Sequence, residues 1–332
     1  MPDEKKIPVP EIVITMGDPA GIGPEILAKA IKRILPSGKV TFAVVGDRNV
    51  LSESFKDHFP EVFFDYRGDV TFVDTGETLG ESIPGKPTKE GAVKALKSIE
   101  KGLELVLRQD DGRPRALVTS PVSKENISMV QSGFVGHTEF LQEAVGSDFV
   151  VMAFVGEKLR VVPLTRHVAL KDVSRRLTKD LVHRTIEQVV KDRALLSGVP
   201  DPAVIVTALN PHAGEGGKMG DEEKTVIAPA IKQALGKYPF IEGPVPSDVA
   251  FYKALSRPGS IVIAMYHDQC LGPFKMLDFN DGVNLTLGLG LVRTSADHGT
   301  AFDIAGKGIA DPESMESAIK LAIRALSAKH PV

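Results

Sequence analysis

A chain of 332 residues with 42% hydrophobic content is long enough for two ordinary domains or one large one, each with a real core. Its 40 basic and 43 acidic residues nearly balance, which argues against a nucleic-acid or membrane-surface partner. The single cysteine, Cys270, excludes an internal disulfide framework and a cysteine-cluster metal site, and no segment has the apolar length of a signal peptide or membrane span, so a cytoplasmic protein is expected.

In chain order, apolar strands alternate with amphipathic helices. Residues 12–16 predict a short buried strand, 17–24 (GDPAGIGP) a turn and about 25–35 a helix. Further strands are expected over 40–46 and 70–74. Ala92, Ala95, Leu96, Ile99, Leu103 and Val106 recur at the helical period and predict a helix over 88–108. Residues 116–121 read as strand then turn, and 149–165 as a hairpin bending at 156–158. A helix is expected over 181–196, strands over 204–209 and 260–266, and a closing helix over 313–328. No repeat, low-complexity tract or linker interrupts the series, which predicts an α/β protein with largely parallel sheet.

The turn GDPAGIG sits where a dinucleotide-binding fingerprint would, between a strand and a helix. It is not G-x-G-x-x-G, however, and no acidic residue about twenty positions on closes a second strand. Nor is it G-x-x-x-x-G-K-[ST]. A tight structural turn and a cofactor contact both remain open, and a standard Rossmann domain is disfavoured.

Three apolar runs, 161–165, 204–209 and 261–266, are followed by a histidine: His167, His212 and His267. If those strands are neighbours, three neutral imidazoles could converge on one divalent cation, leaving positions open for a substrate oxygen. Each histidine taken alone reads as well as a structural group. Asp268, directly after His267, and Asp248 are the carboxylates that could accept a proton or orient a histidine ring.

Gly136-His137-Thr138-Glu139 opens a helix. Its free N–H groups with the His137 and Thr138 side chains suit an anion, while a plain N-cap by Thr138 is the alternative. Lys275, Asn284 and Arg293 add two positive charges and an amide, the groups that a phosphate or carboxylate requires.

Taken together, GDPAGIGPE, GHTE, LNPHAGEGG, MYHDQ and GVNLTLGL with RTSADHGTA resemble the 4-hydroxythreonine-4-phosphate dehydrogenase family of vitamin B6 biosynthesis, over residues 12–325 and in the family's order. Residues 298–312 also resemble the adenosine-binding segment of isopropylmalate dehydrogenases. The resemblance implies the isocitrate/isopropylmalate dehydrogenase-like architecture, with two α/β/α lobes around a central cleft. The cofactor-side lobe would comprise 1–130 plus 275–332, and 131–274 would carry the metal histidines and dimer contacts. His298, Gly299, Thr300, Ala301, Asp303 and Asp311 would face the cofactor, with Asp303 accepting from the adenosine ribose and repelling a 2′-phosphate, so that NAD is preferred over NADP.

On the same resemblance, His167, His212 and His267 bind one divalent cation (Zn, Mg or Co), and His137, Thr138, Lys275, Asn284 and Arg293 bind a phosphorylated hydroxy acid. A homodimer with its active site at the subunit interface is implied, with metal ligands from both chains. The reaction implied is oxidation of 4-phosphohydroxy-L-threonine at C3 and decarboxylation of the β-keto acid. Arg166, Ala169 and Gly290 depart from the family's pattern and leave room for a relative acting on D-threonate or D-erythronate 4-phosphate. An aromatic dihydrodiol carboxylate is a weaker fit, because the phosphate-binding set is complete. A phosphate acyltransferase is the alternative of different class, and a purely binding or structural protein a third; neither needs three metal histidines or Asp303.

Overall fold

The structure, a computed structural model, describes residues 9–38, 40–56, 69–76, 80–108 and 110–329. The first eight residues, part of the stretch read above for a targeting signal, lie outside them. Among the described residues no helix is long and apolar enough to cross a membrane.

Eleven strands lie among those residues. They are β1 (Glu11–Thr15), β2 (Thr41–Gly46), β3 (Val70–Asp74), β4 (Arg115–Thr119), β5 (Val151–Val155), β6 (Arg160–Thr165), β7 (Val204–Thr207), β8 (Ile241–Val245), β9 (Ile261–Tyr266), β10 (Val283–Leu287) and β11 (Val292–Ala296). The chain divides into two compact units, Met1–Asp148 with Leu289–Val332, and Phe149–Gly288.

In the first unit the strand order is β3-β2-β1-β4-β11 and every pairing is parallel. β1, β2, β4 and β11 are almost wholly buried, as parallel strands covered on both faces must be. Helix Lys89–Leu107 starts where Thr88 Oγ1 accepts from Gly91 N at 3.0 Å. It packs on β1 and β2 and is tied there by buried Ser98, which accepts from Met16 N (3.1 Å) and donates to Val45 O (2.6 Å). Helix Gly23–Ile34 begins with Pro24 in its first turn, where a missing N–H costs nothing, and buries Ile26, Leu27, Ala30, Ile31 and Ile34 as one stripe. Helix Glu313–Lys329 packs on β4 and β11.

In the second unit the order is β10-β5-β6-β9-β7-β8. β6, β9, β7 and β8 run parallel to one another, whereas β5 pairs antiparallel with both β6 and β10. The expected hairpin over 149–165 is therefore present as β5 and β6. Its bend is held by the buried carboxylate of Asp278, which accepts from Lys158 N (3.0 Å) and Leu159 N (2.9 Å).

The seams between units fall at 148/149 and 288/289 rather than at 130/131 and 274/275. At the first, helix His137–Val145 stays with the first unit, where Gly136 backs onto the Lys124 side chain. At the second, β10 pairs with β5 from Val283↔Val155 to Leu287↔Val151, which keeps 275–288 in the second unit. Residues 283–287 (VNLTL) alternate apolar and polar, a strand signal that the reading of the sequence passed over.

Candidate active site

In the first unit polar groups gather along β4 and β11 and in the turn just after β4. Arg293 on β11 is 3% exposed and lies opposite Leu117 on β4, and its Nη2 donates to Thr119 Oγ1 at 2.7 Å. Burial pushes its guanidinium down to about 10, with Glu139 opposing the shift, so the group stays charged at neutral pH. Just after β4, Ser123 caps the short helix Lys124–Ser128, and the end of the Lys124 side chain lies against Gly136.

Helix His137–Val145 begins at Gly136, without a side-chain cap. Thr138 is buried inside the first turn, past the N-cap position, so it does not act as the N-cap. The His137 Nε2 is shut off from water and has no hydrogen-bond partner among the described residues. Burial first, then the charges of Arg293 and Lys124, hold its pKa well below the ordinary value of 6.5. His137 is thus a neutral ring at physiological pH, with one nitrogen unpartnered among the described residues.

A neutral buried histidine has a stability signature. Because its folded pKa is depressed, the unfolded chain binds the proton more readily. The His137 contribution is complete above the unfolded value of 6.5 and is lost as pH falls from there toward the folded pKa. Denaturant unfolding of the wild type and of His137→Gln at several pH values should show the wild type losing up to about 1.4 kcal/mol per pH unit more than the variant below pH 6.5. Parallel pH profiles would mean that the ring is hydrated and carries its proton normally.

The turn GDPAGIG lies beside this pocket. A Cβ on Gly17, whose φ is +78°, would come within 2.4 Å of Pro121 O and 2.8 Å of Ser120 Cβ. Buried Ser120 Oγ has no partner among the described residues. Asp18 is 1% exposed, and burial pushes its carboxyl up against the opposing hydrogen bonds from Ala20 N, Asn126 and Ser123. The same turn receives the segment after β11: Ile22 N donates to Thr300 O at 2.9 Å, and a Cβ on Gly21 would meet that oxygen at 2.9 Å.

Ala301 is held at φ +42°, a left-handed setting unusual for a residue with a side chain. His298, Gly299 and Asp303 are exposed, and Asp303 has no hydrogen-bond or ion-pair partner among the described residues. Asp311 instead accepts from Glu313 N at 3.0 Å, opening the helix Glu313–Lys329. The loop 298–303 on the glycine turn fits a dinucleotide; Asp311 is spoken for structurally.

The metal candidates all lie in the second unit. Register Thr165↔Tyr266 between parallel β6 and β9 brings His167 and His267 out side by side, with ring centroids 6.2 Å apart. The two rings are thus neighbours, as a shared ion would require. Asp268 Oδ1 is 2.7 Å from His267 Nδ1, which leaves Nε2 as the nitrogen to bind.

His212 does not complete the set within one chain. Although β7 lies beside β9, the chain runs five residues past β7 before His212 and then turns left-handed, and no group of three His, Cys, Asp or Glu able to hold a metal is found among the described residues. The donor pair fits half of a cation site. Of the remaining candidates, Lys275 sits in the last turn of helix His267–Leu277, its ammonium 5.3 Å from the Phe279 ring centroid. Asn284 on β10 has a buried Oδ1 with no partner among the described residues. Asp248 is exposed in the first turn of helix Ser247–Ser256, which packs on β7 and β9.

Sequence reasoning missed Lys124, Thr119, Ser120, Asp18 and Glu139. The first three follow or end an apolar run, as the histidines do, and that shared signal could have found them.

The model of the family described as pyridoxal phosphate biosynthetic protein PdxA matches residues 21–322. A 4-hydroxythreonine-4-phosphate dehydrogenase from Desulfosudis oleivorans is 42% identical over 329 residues, covering 95% of this chain and 96% of its own. A relative from Oceanobacillus iheyensis, provisionally named D-threonate 4-phosphate dehydrogenase, is 37% identical over 326 residues, at 95% and 97% coverage. The crystal structure of 4-hydroxythreonine-4-phosphate dehydrogenase from Klebsiella pneumoniae superposes with a TM-score of 0.81 at 34% identity, covering 96% of this chain and 99% of that one. The fold is the mixed α/β fold of that dehydrogenase. With this coverage at both the sequence and the structural level, the chain belongs to the PdxA family of pyridoxal phosphate biosynthetic proteins and is an oxidoreductase of that family.

Proposed function

We propose that this chain uses NAD and a divalent cation to oxidise 4-phosphohydroxy-L-threonine to 2-amino-3-oxo-4-phosphohydroxybutyrate, which decarboxylates to 3-amino-2-oxopropyl phosphate. The observation that carries the reading is the anion pocket of the first unit. It combines a neutral His137 with an open Nε2, the buried charge of Arg293 and an uncapped helix start. A phosphate monoester needs such fixed donors and charge. Arg293 would hold the phosphate as a fork of donors, Thr138 and His137 would orient it, and Lys275 and Asn284 would take the substrate's other polar ends.

His167 and His267, with His212 drawn from a second copy in a homodimer, would hold the cation (Zn, Mg or Co), and the loop from His298 to Asp303 would hold NAD. When bound, the cation supplies Lewis acidity at the C3 hydroxyl and NAD supplies the oxidising equivalent. Asp268, bonded to His267, keeps that ring in the tautomer that presents Nε2. Asp248 is the remaining carboxylate candidate for taking the hydroxyl proton. A cytoplasmic site of action belongs to the same proposal.

A second reading, oxidation of D-threonate 4-phosphate, is favoured by the name of the 37% identical relative and by the departures at Arg166, Ala169 and Gly290. The assay is NADH formation with 4-phosphohydroxy-L-threonine beside D-threonate and D-erythronate 4-phosphates, with and without chelator. Chelator-sensitive turnover of the first substrate is the expected result. Turnover of the sugar-acid phosphates alone would move the reading to the second, and no turnover of any, with cations supplied, would overturn both.

A further inference from the structure

The segment carrying His212 is the most strained stretch of described backbone. His212, Ala213 and Glu215 hold φ values of +51°, +54° and +43°, with Gly214 and Gly216 between and after them, so five successive residues are left-handed. A non-glycine residue pays for this conformation individually, and three in a run persist only where neighbouring groups over-determine them.

Those groups converge on one side chain. Glu223 is 5% exposed and lies in a single π-turn, Glu223–Ile227, at the start of the following helix. Its Oε1 accepts from both Leu209 N (2.8 Å) and Asn210 N (2.7 Å), and its Oε2 accepts from Asn210 Nδ2 (3.0 Å). The same oxygen would lie 2.7 Å from a Cβ on Gly214, so the left-handed turn is pressed directly against it. Glu222 supports the arrangement by accepting from Asn210 Nδ2 (2.7 Å) and from Ser174 Oγ (2.6 Å). π-turns of this kind concentrate at functional sites, where they re-aim side chains.

We infer that Glu223 is a positioning residue for the cation site: its carboxylate clamps 209–214 and so fixes where the His212 imidazole is presented. This rests on the proposal that His212 is a metal ligand. Glu223 never touches the ion, because its oxygens are filled by backbone and amide donors, and its effect on the metal passes through the turn.

The test is Co²⁺ and Zn²⁺ titration of the metal-free full-length protein, with thermal unfolding of the same samples. Glu223→Gln keeps the shape but turns an acceptor into a donor facing Asn210 Nδ2, and should weaken cation affinity about tenfold to a hundredfold. Amide exchange at Leu209 and Asn210 should speed up in parallel. Asn210→Ala loosens the same clamp from the other side with the carboxylate left in place, and should weaken affinity in the same direction. It serves if the Glu223 variant fails to fold.

Adding Ala213→Gly to Glu223→Gln should recover part of the affinity, since glycine takes the left-handed setting without the clamp. A merely structural glutamate would lower the melting temperature without this recovery. His212→Ala separates the two ideas. If it loses the cation while Glu223→Gln and Asn210→Ala bind like wild type, the positioning role is overturned; if His212→Ala itself binds normally, the metal reading falls and the positioning role with it.

Discussion

Arg293→Met should lower kcat/KM for the phosphorylated substrate by about a thousandfold, or some 4 kcal/mol, with little change in melting temperature. Arg293 is buried and shares its pocket with His137 and Lys124, so a phosphate arriving there exchanges water for a guanidinium already out of water. Losing a desolvated, charged partner removes more than a surface contact would. Stability should move little, because methionine fills a similar volume without the cost of a buried charge, while the donor lost by Thr119 Oγ1 costs about 1 kcal/mol. Arg293→Lys should be nearly as damaging, since a point charge cannot reproduce the fork. Steady-state kinetics and calorimetry on the same preparations check both halves. An unchanged kcat/KM would place the substrate's anion elsewhere.

His267→Ala should abolish stoichiometric cation binding and reduce kcat by about a thousandfold, the scale expected when Lewis-acid assistance worth several kcal/mol is withdrawn. His267 is only partly buried, so the folded chain should survive. Asp268→Asn should be milder, lowering cation affinity about tenfold to a hundredfold through loss of the fixed tautomer. A sharper result comes from mixing two inactive variants, His267→Ala and His212→Ala. If a homodimer builds each site from both copies, a mixed dimer contains one intact set of histidines and one doubly damaged set, and random reassociation should restore about a quarter of wild-type activity. No recovery after verified subunit exchange would require all three ligands to come from one chain, against the separation of His212 from the other two.

The strand ends were the most legible part of this molecule. Apolar runs bounded by turns locate β1, β2, β4, β6, β7 and β9 to within a residue or two, because strands buried on both faces leave no alternation to misread. Histidines one or two residues beyond β6 and β9 follow the strands faithfully, so the His167–His267 pair was readable from the sequence. His212, five residues beyond β7, was not, because its direction depends on a run of positive φ values held by Glu223, fourteen positions from Leu209. Local preference argues against that conformation at Ala213 and Glu215, and tertiary hydrogen bonds override it. The start of helix His137–Val145 was visible in the letters, but the neutral ring depends on burial and on the charge of Arg293, more than 150 residues away. The compact units divide at other positions than the expected lobes, because strand partnership sets them and the partner of β10 is β5, more than 120 residues back.

The parallel order β3-β2-β1-β4-β11 also constrains how the chain is made. β11 emerges from synthesis only after the whole second unit, so β4 carries an unsatisfied edge, with its backbone donors and acceptors exposed, while about 170 further residues are added. Thr119 and Ser120 stand at the end of that edge. The pocket that would bind the substrate's anion is therefore among the last features to form. A nascent chain stopped short of 292 would have a nearly complete set of histidines and a glycine turn, yet would present an open strand to its neighbours in place of a charged pocket.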